Sequence, residues 1–277
     1  VFFYILFVKV YILIWKDFFT MLPNEPCFLF NIDMLLKNNT VDPAALKFIN
    51  NISPYNCFFF TDECDISHHS CYEKLTNNKF LCKYNNILSP NFILIQYLKK
   101  IYGNFSAYSI SKSKDIHDFT ELKVPVNNVN PNFIFINTLK LSAYDLAFLK
   151  NTKSIISFSY KLCNSGNMKC NICKNKCILE YIINSFNDRV LIPDRHILST
   201  SSNAFSKLNI HSRNLILVVN KLTPEYALAY KHGRKVILIL NNDFTFEDYI
   251  NSQYDANIVF KDFDNLLNFF KKQKETL

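Results

Sequence analysis

Short apolar runs alternate with longer amphipathic stretches along most of the chain. Cys27 to Phe30 and Cys57 to Phe60 are uninterrupted apolar runs of strand length, which is typical of strands buried on both faces of a parallel sheet. Between them, Asp42 to Ile52 has the spacing of a helix, with Pro43 in its first turn. The pattern predicts a parallel β-α-β unit and therefore an α/β fold.

The same alternation resumes towards the C-terminus. The predicted elements there are a helix at 199–208, a strand at 214–219, a helix at 224–232 and a strand at 236–240. The intervening residues contain too much structure for a loop, with elements predicted at 92–102, 133–136, 144–150 and 154–158. We therefore predict a Rossmann-like core with a parallel sheet from residues 21–84 and 188–277, and an inserted α/β domain from residues 85–187.

The first residues of the chain stand apart from this pattern. Val1 to Trp15 is nearly all apolar, but Lys9 interrupts the run, and its length falls short of the ~20 residues that span a bilayer. No small-residue cleavage site follows, as a signal peptide would require. We interpret residues 1–20 as an apolar extension outside the fold, with a membrane anchor as the alternative.

Composition narrows the choice of partners. The net charge of +8 comes from 31 basic residues, but arginine is scarce and scattered, and only 19% of all residues are charged. Nucleic-acid-binding surfaces usually concentrate arginine in a stripe with aromatic residues, so no nucleic-acid partner is expected. Nine cysteines in a mid-sized chain with long apolar strands do not require disulfides. A reducing, cytoplasmic location is therefore expected.

Four of the cysteines form a C-x6-C-x2-C-x3-C run, at Cys163, Cys170, Cys173 and Cys177. Four thiolates match the ligand number of a structural zinc site, whereas such sites usually pair two separated knuckles. Two interpretations stay open: a zinc site, or cysteines that serve as small apolar residues. A weaker metal candidate consists of residues for which packing in a helix is the favoured interpretation, namely Cys64, His68, His69 and Cys71.

Polar residues follow several of the predicted strands, and ligands of open α/β sheets bind at the carboxyl ends of strands. Asn31-Ile32-Asp33-Met34 follows the first strand and Thr61-Asp62-Glu63 the second; Asn220 to Glu225 follows a later one, with Asp194-Arg195-His196 upstream. In order and position these segments resemble the motifs of the haloacid-dehalogenase (HAD)-type phosphatases. The resemblance is to the branch with a large cap, which contains p-nitrophenyl phosphatases and phosphoglycolate phosphatases, and it makes residues 85–187 the cap.

The resemblance assigns roles to individual positions. The aspartate that attacks phosphorus in the family falls on Asn31, and the aspartate that serves as acid and base falls on Asp33. Thr61 matches a residue that donates to the phosphate, and Arg195 stands in place of a lysine that neutralises the phosphoryl group. A carboxamide has no anionic oxygen with which to attack, so Asn31 is not expected to act as a nucleophile.

Magnesium is the cofactor that the resemblance implies. Its site would fall on Asn31, Asp33, Asn220 and Glu225, where amides have replaced two carboxylates. Since Mg²⁺ prefers carboxylate oxygens, the site is expected to be weak or lost.

Two classes of function follow from these expectations. The first is a phosphatase with residual or altered hydrolysis of a small phosphate ester. The second is a catalytically silent relative that binds an anion or a protein. The expected ligand is phosphate ion or a small phosphorylated metabolite, and a homodimer through the cap is a further expectation.

Overall fold

The computed structural model describes residues 26–37, 40–52, 56–61, 63, 65–111, 116–138, 140–158, 178–191, 215–222, 235–252 and 254–274, and the element labels used below number the helices and strands of these ranges. The strands are β1 (Cys27–Asn31), β2 (Leu36–Lys37), β3 (Thr40–Val41), β4 (Cys57–Phe60), β5 (Ile87–Leu88), β6 (Ala107–Ile110), β7 (Phe133–Ile136), β8 (Ile155–Phe158), β9 (Val190–Leu191), β10 (Leu215–Val219), β11 (Lys235–Ile239) and β12 (Ile258–Phe260). The helices are α1 (Ile32–Leu35), α2 (Pro43–Asn51), α3 (His68–Asn77), α4 (Pro90–Tyr102), α5 (His117–Glu121), α6 (Ala143–Asn151), α7 (Ile178–Ser185), α8 (Phe246–Ile250) and α9 (Phe263–Lys274).

The chain divides into two compact units. The first takes in the described parts of Val1–Phe59, Asn78–Asn86 and Phe205–Leu277, and the second those of Phe60–Asn77 and Ile87–Ala204. The domain limits predicted from the sequence stay predictions. None of the helices in the described ranges is both long and apolar enough to cross a membrane.

The first unit is built on a sheet that contains, in order, β12, β11, β10, β1 and β4. Pairing is parallel from β12 through β11 and β10 to β1, and the register of the last pair places Phe30 opposite Val218. The predicted strands are confirmed, with shifts of one residue at some ends. The helices predicted at 199–208 and 224–232 lie outside the described residues.

Helix α2 begins where the sequence analysis expected it. Asp42 precedes the helix, and its Oδ1 accepts hydrogen bonds from the backbone N–H groups of Ala44 (2.8 Å) and Ala45 (3.2 Å). Pro43 occupies the first turn, where its missing N–H costs nothing. The helix turns Phe48 and Ile49 into the core, where both are buried.

Aromatic rings fill the core of the first unit. Phe28 and Phe30 of β1 contact the ring of Phe48 from α2, with centroid distances of 5.8 and 6.2 Å. Phe270 of α9 lies 5.1 Å from Phe48, and Phe59 of β4 lies 6.0 Å from Phe30. Close edge-to-face and tilted rings of this kind add to the stabilisation from burial alone.

The second unit contains its own parallel sheet, in the order β6, β7, β8 and β9. Side chains alternate between its two faces. Phe133 and Phe135 pack with residues of α4 and α5 on one face, and Ile134 and Ile136 pack with residues of α6 and α7 on the other. This three-layer arrangement confirms an α/β fold with parallel sheets.

Candidate functional site

Asn31 ends β1 and caps the short helix α1. Its Oδ1 accepts a hydrogen bond from the backbone N–H of Asp33 at 2.8 Å, and its side chain is only 3% exposed. Asparagine is among the best residues for this position, because its side-chain oxygen satisfies an N–H that lacks a partner within the helix. The amide oxygen at the predicted nucleophile position therefore faces the chain's own backbone.

Asp33 lies in the first turn of α1, and its carboxylate is exposed to solvent. An exposed carboxylate can exchange protons with a bound ligand or with water. The acid-base role that the sequence resemblance assigns to Asp33 stays a prediction.

Asn220 lies at the same edge of the first sheet as Asn31. Since Phe30 pairs with Val218 in a parallel register, the strand ends at Asn31 and Val219 are level, and Asn220 comes one residue later. Asn220 is half-buried and sits in a bend. The structure thus brings two of the predicted positions to neighbouring strand ends, and both carry amides.

Thr61 belongs to the second unit and directly follows β4. It is buried, its Oγ1 accepts a hydrogen bond from the N–H of Glu63 at 3.0 Å, and its own N–H donates to the carbonyl of Leu88 at 3.3 Å. Glu63 is exposed and pairs with the Lys74 ammonium at 3.3 Å. The Glu63 carboxylate is thus paired at the surface, which lessens the repulsion that it would exert on a nearby anion.

Several predicted site residues lie outside the described residues. These are the phosphate-neutralising candidate Arg195, the metal-ligand candidate Glu225 and the cysteine run of Cys163, Cys170, Cys173 and Cys177. Within the described ranges, no group of three or more histidine, cysteine or acidic residues is placed to hold a metal ion.

The donor set at the first sheet's edge is a poor match for magnesium. Of Asn31, Asp33 and Asn220, only Asp33 supplies a carboxylate, and the Asn31 amide oxygen already accepts a backbone hydrogen bond. Mg²⁺ is usually held in proteins by one or two carboxylates together with substrate phosphates and waters. The described part of this edge thus offers Mg²⁺ one carboxylate, and the other predicted carboxylate ligand, Glu225, lies outside the described residues.

The sequence analysis missed a buried polar network in the second unit. The Asp118 carboxyl accepts hydrogen bonds from the His68 N–H (2.8 Å) and from Asn91 Nδ2 (3.4 Å), and Asn137 Nδ2 donates to Asn91 Oδ1 (3.4 Å). All four residues are buried. Asn137 directly follows the apolar run of β7, so the rule for polar residues at strand ends, applied to the second sheet, could have found it.

Two histidines near this network also contact each other. The ring centroids of His69 and His117 lie 5.0 Å apart. His69 Nε2 lies 3.4 Å from a carboxylate oxygen of Glu73, one helical turn along α3. The favoured interpretation of His68 and Cys71 as packing residues agrees with their burial in this helix.

Cys57, in the first unit, is a buried thiol at the start of β4. Burial, reinforced by the neighbouring thiols of Cys27 and Cys82, raises the pKa of Cys57 from 9.0 to about 12. Its thiol therefore stays neutral at physiological pH and acts as a small apolar group.

A two-unit α/β protein with parallel sheets and polar strand ends is thus defined, and comparison with known proteins identifies its fold. No family model and no curated protein matches the sequence. Solved structures do match. The 4-nitrophenylphosphatase from Thermotoga maritima has a TM-score of 0.71 and 16% identity, over 88% of this chain and 96% of that one.

Two further solved structures agree with this match. A variant of the thermostable p-nitrophenylphosphatase from Bacillus stearothermophilus has a TM-score of 0.61 and 14% identity, over 87% of this chain and 97% of its own. NagD from E. coli K-12 has a TM-score of 0.63 and 14% identity, over 86% and 96%. The chain has the fold of these p-nitrophenylphosphatases and of NagD.

Proposed function

We propose that this chain is a phosphatase-fold protein in which hydrolysis of phosphate monoesters by the family's route is lost or much reduced. The observation that carries the proposal is Asn31 at the end of β1, where the resemblance places the nucleophile. A neutral carboxamide has no anionic oxygen and cannot form the acyl-phosphate on which the route depends. Its oxygen is further engaged by the Asp33 N–H at 2.8 Å.

The second amide supports the same proposal. Asn220, at the neighbouring strand end, removes another carboxylate from the position of the metal site. Loss of a nucleophile alone lowers enzyme rates by factors on the order of 10⁴ to 10⁶. Weak metal binding would act on the same step, so the combined loss is expected to leave no measurable turnover.

Binding of an anion is the activity that the replaced residues favour. Two neutral amides in place of two carboxylates remove negative charge that would repel phosphate, and each amide Nδ2 is a donor. The sequence resemblance adds Thr61 as a donor and Arg195 as a cation that can grip phosphate with two parallel hydrogen bonds. The proposed ligand is phosphate ion or a small phosphorylated metabolite, bound without a metal.

Hydrolysis of p-nitrophenyl phosphate by the full chain tests the proposed loss of phosphatase activity. With and without Mg²⁺, the wild type is expected to release no nitrophenol above the uncatalysed rate. Turnover that survives further purification and disappears in Asp33→Ala would show that the family's site is still active and would overturn the proposal.

Restoring the two carboxylates gives the complementary result. The double variant Asn31→Asp, Asn220→Asp is expected to gain turnover that depends on Mg²⁺, because Asp33 is still present to protonate the leaving group. The matched control is Asn128→Asp, which makes the same chemical change in an exposed loop and is expected to gain nothing. A folded double variant without activity would show that the two amides are not what silences the site.

Thermal unfolding at increasing concentrations of inorganic phosphate tests the proposed anion binding. The wild type is expected to be stabilised without Mg²⁺, with a dissociation constant in the millimolar range. Arg195→Ala is expected to abolish the shift, and Lys140→Ala, which removes a cation from an exposed position, to preserve it. No shift in the wild type, or an equal shift in Arg195→Ala, would refute anion binding through this residue.

A further inference from the structure

The second unit contains a groove at the amino ends of its strands, the edge of the second sheet opposite to the one at which Asn137 follows β7. The groove has a volume of about 460 Å³ and is lined by residues that precede or begin β6, β7 and β8. Its volume falls in the range of small-molecule sites. All of its lining residues belong to the second unit and are described by the structure.

One wall of the groove is aromatic. Tyr102 stands with its ring edge-on to Phe133, at 5.2 Å and 65°, and Phe105 lies 4.8 Å from the same phenylalanine. Phe105 and Phe133 are buried, but Tyr102 is 47% exposed although it is large and partly apolar. An exposed ring beside two buried ones leaves room for one more ring in a favourable edge or offset geometry.

The groove carries a single positive charge. Lys153 is the one charged residue among those that line it, and the other polar groups at its rim include the amides of Asn104 and Asn132. Lys153 is exposed. Ammonium and amide N–H groups donate hydrogen bonds, and no lining carboxylate opposes an anion here.

The loops that form the groove are tied to each other before any ligand arrives. Asn132 Oδ1 accepts hydrogen bonds from the N–H (2.8 Å) and the hydroxyl (2.9 Å) of Ser106, and the Ser154 hydroxyl donates to the Pro131 carbonyl (2.6 Å). Gly103, with a φ of +72°, ends α4 directly after Tyr102 and turns the chain into the groove. A preorganised site loses less conformational entropy when it binds.

We propose that this groove binds a planar aromatic molecule that carries one anionic group, such as an aryl carboxylate. The ring stacks beside Tyr102, and the anionic group lies at the Lys153 ammonium. The groove shares no residue with the proposed phosphate site, so either proposal can fail without the other.

Backbone amide NMR signals of the full chain provide the test, with benzoate as the probe. Benzoate is expected to shift the signals of Asn104, Asn132 and Ser154 saturably, in the millimolar range. Acetate keeps the charge without the ring, and benzylamine keeps the ring with the opposite charge; both are expected to shift these signals much less. Absent or non-saturable shifts, or equal effects of acetate or benzylamine, would overturn the proposal.

Matched variants locate the contacts. Tyr102→Ala and Lys153→Gln are each expected to raise the benzoate dissociation constant about fivefold or more, as for loss of one ring or charge contact. Tyr144→Ala and Lys150→Gln make the same changes at exposed positions outside the groove and are expected to change it less than about twofold. Unchanged affinity in both groove variants would contradict the assignment.

Discussion

The two units of this protein differ in how many polar side chains they bury among the described residues. The strands of the first sheet are packed with apolar side chains, and its functional candidates, Asn31 and Asn220, come only where strands end. The second unit buries polar side chains within its own core, including the Asp118 carboxyl, which receives hydrogen bonds from His68 and Asn91.

The difference shows which residues can change without loss of the fold. Ring packing holds the first sheet together, so exchanges of carboxylate for amide at its strand ends leave that packing intact. A fold can therefore persist when the residues of its functional site change. In the second unit the buried polar groups depend on each other, because a buried donor or acceptor that loses its partner is costly.

The largest effect is expected from a ring in the first core. Phe30 is fully buried and contacts Phe48 and Phe59, so Phe30→Ala should lower the free energy of unfolding by about 3–5 kcal/mol. Urea unfolding followed by circular dichroism measures the loss. The matched control Phe246→Ala, at a partly exposed ring, should cost less than about 1 kcal/mol. Equal costs would break the claim that rings hold this unit together.

Substitution of Asp118 tests, by the same measurement, how much the buried polar network stabilises the second unit. Asp118→Ala removes the acceptor of two hydrogen bonds and should cost about 2–4 kcal/mol, since two buried donors lose their partner. Asp118→Asn keeps one oxygen for the His68 N–H and should cost roughly half as much. If both variants unfold at the wild-type urea concentration, the polar network does not stabilise the unit.

The sequence predicted features that depend on neighbouring residues, and it missed contacts between residues that are far apart in the chain. Strands such as Cys57–Phe60 were predicted because an uninterrupted apolar run is a local signal. Strand Ala107–Ile110 was missed because Tyr108 and Ser109 are only half-buried and break that signal. The bond from His68 to Asp118 joins residues fifty positions apart, and no local pattern records such a pair.

The strand-end candidates, Asn31 and Asn220, could be predicted only in part from the sequence. Asn31 and Asn220 could be singled out from the sequence because each directly follows a predicted strand. Their proximity could not, since it depends on the register that sets Phe30 opposite Val218. The capping bond from the Asp33 N–H to Asn31 also required the structure, because the sequence indicated a strand end there without indicating α1.

Alkaline pH should weaken the first unit through Cys57. Its pKa is raised from 9.0 to about 12 in the folded protein, so above pH 9 the unfolded chain loses a proton that the folded chain keeps. Stability should therefore fall as pH rises from 9 towards 12, by up to about 1.4 kcal/mol per pH unit from this group. Urea unfolding at several pH values should show a shallower decline in Cys57→Ala. An unchanged slope would contradict the shift.

The smallest effect is expected at the strand end itself. Asn31→Ala removes the cap of α1 and should cost only about 1 kcal/mol, well below the loss in Phe30→Ala. Thermal unfolding of the two variants side by side measures the contrast. A loss as large as that of Phe30→Ala would mean that Asn31 is retained for stability, and the strand ends would not be free to change.

The most direct test of the central claim is a search for the covalent phosphoryl group. Full-length protein is mixed with p-nitrophenyl phosphate and Mg²⁺, quenched in acid and digested, and the peptide that contains residue 31 is examined by mass spectrometry. The account predicts no phosphoryl group on the wild-type peptide, and one on the same peptide of the Asn31→Asp, Asn220→Asp variant. A phosphoryl group on the wild-type first unit that is lost in Asp33→Ala would contradict the proposed loss of phosphatase activity.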